Sequence, residues 1–193
     1  MLSLKDRIEL LQDDILADPP RISVYRDLPF AILRYDPQDE WEVRHEARLL
    51  AARLQNAGRE VVTVSMADLL WEAIDASEGL EVLVELEKER GFETAQQQVT
   101  VYLSDEDWCR LPDLLERRLR GLDPWKNLVF LMRAAAMAPA VYQMSRLLDQ
   151  MQGLTEVMTI LFYPGTLEGA TGLRFMGLKS RETLGNYRVK IYG

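Results

Sequence analysis

The chain holds one cysteine, Cys109, and one histidine, His45. A single thiol allows no internal disulfide and no multi-cysteine metal cage, which fits a reducing cytoplasm. Any Ser-His-Asp, Cys-His or histidine-based zinc scheme must pass through His45. That residue falls on a helix beginning at Glu40, opposite the Val43, Ala47 and Leu50 stripe and beside Glu42 and Glu46, the place of a solvated side chain. No second histidine completes a zincin-type helix. Cys109 has no histidine or cysteine near it in sequence and reads as a small buried apolar group. Long apolar runs are missing too: MLSLKDRIELLQDDILADPP carries acids throughout, which argues against a signal peptide or membrane span. Bases are outnumbered 23 to 31, giving a net charge of -8. A surface of that sign repels nucleic acid and anionic lipid at long range.

What is present is an alternation of apolar strands and amphipathic helices. The 193 residues are 48% hydrophobic, enough for one sizeable core, and residues 1–193 are expected to form a single domain. Ser3 and Asp6 form a capping-box pair ahead of Leu4, Ile8, Leu11 and Ile15 at helical spacing. PFAILRY at 29–35 reads as a buried strand, and Val43 to Ala47, Leu50 and Leu54 as a helix stopped at Gly58. EVVTVS at 60–65 is a second strand, followed by helices over 66–76 and 80–90. Residues 92–103 fit both periods, and helix is the favoured reading. Ser104 and Asp107 read as a second capping box, and Pro112 as a helix start. NLVFLM at 127–132, a helix at 141–151, a strand at 156–162 and an edge strand YRVKIY at 187–192 complete the pattern. The expected fold is α/β: a largely parallel, Rossmann-like sheet of about five strands flanked by helices, with a helical insertion near 66–121.

Near the end, TILFYPGTLEGATGLRFMGL at 159–178 reads as a buried strand running into a sharp Pro-Gly turn and a glycine-rich return. Gly172, Gly177, Lys179 and Ser180 resemble a phosphate-binding P-loop with one residue inserted before the lysine, and no helix is expected after it. Backbone N–H groups and lysine would then fail to converge on one phosphate. Gly165, Gly169 and Gly172 do not give dinucleotide spacing. Asp36, Asp39 and Glu40 gather where open α/β sheets place ligands and could hold Mg²⁺, although a turn and a helix start explain them better. Arg133 follows the third strand and could clamp a phosphate or carboxylate, or pair with Asp36 or another strand-end acid. Tyr163, Pro164 and Gly165 occupy the same edge after the fourth strand, so Asp36, Arg133 and Tyr163 are expected to meet there. Residues 171–193 carry a local charge of +4 against -12 for the rest, and Arg174 belongs to this basic end. No catalytic constellation and no cofactor motif emerge.

Three segments together resemble the BrxB family of bacteriophage exclusion (BREX) systems: PFAILRYDPQDE at 29–40, VTVSMADLL at 62–70 and LFYPGTLEGATGLRFMG at 161–177. The resemblance implies a prokaryotic, cytoplasmic antiviral protein encoded with an ATPase, a DNA methyltransferase and a phosphatase-like protein, and it supplies no active site. It implies a non-enzymatic assembly subunit whose partners are those components, with DNA contact only through the complex and no membrane. On that reading Asp36, Arg133, Tyr163, Pro164, Gly165 and Arg174 shape an interaction surface, and substituting Tyr163 or Arg174 disturbs partner binding. The alternative is a degenerate nucleotide- or Mg-binding subunit that uses the strand-end acids and Arg133.

Overall fold

The computed structural model describes residues 2–22, 28–137, 141–168, 172–178, 187 and 189–193. Helix α1 (Leu4–Leu16) starts on the expected capping box, with the Ser3 hydroxyl accepting from the Asp6 N–H and Asp6 returning a bond to the Ser3 N–H. Strand β1 (Phe30–Tyr35) is buried along its whole length and leads through a short 3-10 turn into α2 (Glu40–Asn56). Strand β2 (Glu60–Ser65) is followed by α3 (Met66–Ala76), α4 (Leu80–Arg90), α5 (Phe92–Ser104) and α6 (Leu111–Leu119). Strand β3 (Asn127–Met132), α7 (Met144–Gln150), β4 (Thr159–Glu168), β5 (Gly172–Phe175) and β6 (Lys190–Tyr192) follow.

Five strands pair in parallel in the order β2-β3-β4-β1-β6, and β5 adds to β4 antiparallel. The expected α/β architecture and its helical insertion between β2 and β3 are therefore present. Continuous burial of FAILRY and NLVFLM follows from cover on both faces. On one face, Leu33, Phe130 and Phe162 pack under α1 and α2, with the Phe130 and Phe162 rings edge to face at 5.0 Å. On the other, Ile32, Leu131, Leu161 and Tyr163 pack under α3, α6 and α7. A satellite cluster of Ile74, Leu83 and Tyr102 holds the insertion together.

Four local expectations change. The strand expected at 156–162 begins at Thr159 and runs straight through Pro164 and Gly165 to Glu168. The antiparallel partner of its last residues is β5, and residues 169–171 between the two strands lie outside the described residues. The physical reason is that Gly165 stays extended and places its missing side chain against another backbone, as described below, rather than in a turn. Ser104 and Asp107 form no capping box, because α5 runs on to Ser104 and α6 starts after Arg110, whose side chain makes no cap bond. The helix expected at 141–151 starts at Met144. Cys109 is half-buried rather than buried, with an Arg117 N–H directed at its sulfur at 3.2 Å.

The last strand is tied to the first helix by one carboxylate. Asp14 is buried and accepts from the Lys190 ammonium at 2.5 Å and the Tyr192 hydroxyl at 2.6 Å, and it pairs with Arg21 at 3.1 Å. Burial alone would raise its pKa, but the bonds from Lys190 and Tyr192 and the charges of Lys190 and Arg21 more than offset this, so it is lowered from 3.8. A lowered folded pKa contributes stability above the unfolded value that is lost as pH falls through the folded one. Asp14→Asn is therefore expected to cost about 2 kcal/mol at pH 7. That difference should shrink as the pH falls below 3.8 and through the lowered folded value. Urea unfolding of both proteins at pH 7 and across the acid range checks this, and a pH-independent difference would contradict it.

Candidate functional site

The order β2-β3-β4-β1-β6 reverses direction between β4 and β1. The chain leaves β1 for α2 on one face, and leaves β2 and β3 for the insertion and α7 on the other. Open α/β sheets form a crevice at such a switch point, outside the carboxyl ends of the strands. Here that switch point brings Asp36 beside the Pro164-Gly165 stretch, since Tyr35 pairs with Pro164 in register.

The buried charged group at this switch point is Arg34, which sequence reasoning passed over. It is 3% exposed, and its guanidinium reaches the Gly165 carbonyl at 3.5 Å and Asp36 at 3.7 Å. Arg7, from α1, donates to the Arg34 carbonyl at 2.5 Å. Its pKa is lowered, first by burial and then by the charge of Arg34. The signal was visible: an arginine inside an otherwise apolar strand must find polar partners or destabilise the core. Asp36, the residue just past β1, is thus engaged by the arginine two residues before it.

The expected meeting of Asp36, Arg133 and Tyr163 resolves into separate contacts. Arg133 pairs at 3.5 Å with Asp68 in the first turn of α3, and its backbone is left-handed at φ 61°. Tyr163 is 2% exposed, edge on to Phe175 at 5.4 Å and Tyr187 at 6.0 Å. Burial first, then the charge of Tyr187 and the hydrogen bond to it, push its hydroxyl far above the ordinary range. The Pro164 carbonyl accepts from the Met176 N–H at 2.9 Å. Arg174, opposite Thr166 in the hairpin, pairs with Glu168. Glu40 accepts from the Tyr35 hydroxyl and from Arg44 at 2.7 Å. Asp39 sits at the cap of α2 without a side-chain bond.

The near P-loop divides in two. Gly172 to Phe175 is a β-strand whose residues pair with β4, and Met176 and Gly177 turn with positive φ. Lys179, Ser180, Arg181, Glu182, Arg188 and Gly169 lie outside the described residues. His45 is exposed as expected. Among the described residues no group of three or more histidine, cysteine or acidic side chains is placed to hold a metal ion, and no helix is long and apolar enough to cross a membrane.

A concavity opens beside this edge, on the face of α2. A groove of about 260 Å³ has Phe130 and Met132 as its floor and Arg44, Arg48 and Arg133 on its rim. Arg44 lies over the exposed Trp41 ring at 4.9 Å, while Arg48 has no ion pair among the described residues.

Residues 62–191 match the family model described as BREX protein BrxB. The chain belongs to the BrxB family. No curated protein and no solved structure matches it. The span includes VTVSMADLL and the β4–β5 hairpin with its FYPGT and LRFMG stretches, while PFAILRYDPQDE precedes it. This BrxB chain is therefore a subunit of a BREX phage-defence system, and it brings to that role a parallel sheet, a hairpin on its carboxyl edge and a four-helix insertion.

Proposed function

We propose that this BrxB chain is a non-enzymatic assembly subunit that binds larger BREX components, the phosphatase-like, ATPase or methyltransferase proteins. One observation carries the reading: the groups at the carboxyl edge that could have done chemistry are engaged with one another. Asp36 is held by Arg34, Arg133 by Asp68, Arg174 by Glu168, and Tyr163 is sealed under the hairpin. A nucleophile or general base is set against an acid or base partner that moves its proton, whereas these side chains are matched in opposite-charge pairs or buried, which suits a shaped surface. Arg174 is a quarter exposed and can reach a partner directly; Tyr163 acts by holding the hairpin in place. The test is co-expression of the tagged chain with its BREX neighbours in the cytoplasm of a bacterial host. Stoichiometric retention of at least one component is expected, and Arg174→Ala is expected to weaken it.

A second reading, in which a nucleotide is bound, is favoured by the arginine-rimmed groove. A non-glycine residue in the left-handed region costs about 1 kcal/mol, and Arg133 is found there. Strain of this kind concentrates at ligand sites. On this reading ATP with Mg²⁺ raises the melting temperature by mass action. Arg133→Gly should abolish the rise while relieving the backbone. A melting temperature flat across a wide ATP series removes the reading.

A further inference from the structure

The helical insertion leaves apolar surface in water that its own packing does not use. Helix α4 buries one side chain of its eleven, Leu83, and exposes Leu80, Val82 and Val84. Helices in proteins draw most of their stability from packing an apolar face, so α4 is under-packed as it stands. Beside it, Trp71 of α3 is 50% exposed and Phe92 of α5 is 58% exposed. These side chains border an open groove of about 310 Å³ between α3, α4 and α5, whose walls include Leu80, Val84 and Val99, with Glu87 at the rim. Contiguous apolar surface rimmed by polar residues marks an interaction site.

The charge around the groove says what fills it. Residues 66–104 carry nine acids against two bases, a net -7 of the chain's -8. Glu72 pairs with Arg118 and Asp68 with Arg133. Asp75, Glu81, Glu85, Glu87, Glu89 and Glu93 make no ion pair among the described residues. A second copy of the chain, docked groove to groove, would oppose -7 with -7, and like charges across an interface are strongly disfavoured. We infer that the groove receives an amphipathic helix of another BREX component, with an apolar stripe at helical spacing flanked by lysines and arginines. This rests on the assembly reading above and names the surface and the chemistry of the partner. Apolar side chains would enter between α4 and α5 in the helix-in-groove mode, and the basic flanks would meet the unpaired carboxylates.

The experiment uses the full chain and two fluorescein-labelled helical peptides of the same leucine pattern, one with lysine and one with glutamate at the polar positions, followed by anisotropy. The lysine peptide is expected to bind at least tenfold more tightly than the glutamate peptide, with affinity that falls as salt rises. Trp71→Ser and Phe92→Ser should each weaken it at least tenfold, while Trp125→Ser, an exposed ring before β3, should leave it unchanged. Glu87→Lys with Glu93→Lys changes only solvated side chains, takes residues 66–104 from -7 to -3 and should shrink the advantage of the lysine peptide, so the proposal stays testable if a tryptophan or phenylalanine variant misfolds. Equal binding of both peptides, indifference to the groove variants, or a wild-type dimer that Phe92→Ser dissociates would each overturn it. In co-expression, Phe92→Ser should lose the captured component. Wild-type capture that survives in Phe92→Ser sinks the groove and leaves the assembly reading standing, whereas no capture by the wild type sinks the assembly reading itself.

Discussion

Gly165→Ala is expected to destabilise the protein by about 3 kcal/mol, read as a lower urea midpoint with an unchanged slope. A methyl group at this position would lie 2.3 Å from the Arg174 carbonyl oxygen and 2.7 Å from a ring carbon of Tyr163. Both neighbours are fixed, the first by the antiparallel pairing of β4 with β5 and the second by burial. Relief therefore requires the hairpin to move off the sheet. The contrast is Gly58→Ala, where φ is 85° and nothing lies within 4 Å. There only the left-handed backbone is penalised, by about 1 kcal/mol. Equal effects at the two glycines would show that the hairpin does not sit against β4 as described.

Tyr163→Ala is expected to cost about 3 to 5 kcal/mol, the range for removing a large buried ring. Tyr163 joins three pieces of chain: it belongs to β4, packs on Phe175 of β5, and meets Tyr187 before β6. Losing the ring empties a space that the sheet cannot close. Tyr163→Phe removes only the hydroxyl bonded to Tyr187 and should cost about 1 kcal/mol. If phenylalanine proved as damaging as alanine, the hydrogen bond rather than the packing would dominate, contrary to the burial seen. The same pair separates stability from recognition. Tyr163→Phe preserves the hairpin and should still retain BREX components, while any loss of capture by Tyr163→Ala should track unfolding.

Elements with one clear period were legible in the sequence. FAILRY, apolar but for Arg34 and the Tyr35 hydroxyl, and NLVFLM, apolar after Asn127, read as strands covered on both faces, and Ser3 with Asp6 marked the start of α1. Residues 92–103 fitted two periods, and the favoured helix is α5. Strand order was not legible, because side-chain period carries no information about which strand lies beside which; the reversal between β4 and β1 is a property of the assembled sheet. Pro-Gly misled for a related reason. A glycine serves a turn through positive φ or a close approach through its missing Cβ, and the sequence does not distinguish them. Arg34 hid inside a hydrophobic run, its role set by the Gly165 carbonyl 131 residues away. The groove of the insertion also escaped, because a helical reading of 80–90 and 92–103 does not say that the fold leaves Leu80, Val84 and Phe92 uncovered.

The central claim is that this BrxB chain works by holding other BREX components. The most direct measurement is the mass, by size-exclusion chromatography with light scattering, of what elutes with the tagged chain after co-expression with its BREX neighbours. The account predicts a complex well above the 22.2 kDa of the chain, containing at least one of those components in fixed stoichiometry. A chain that elutes at its monomer mass, with none of them retained, would contradict it.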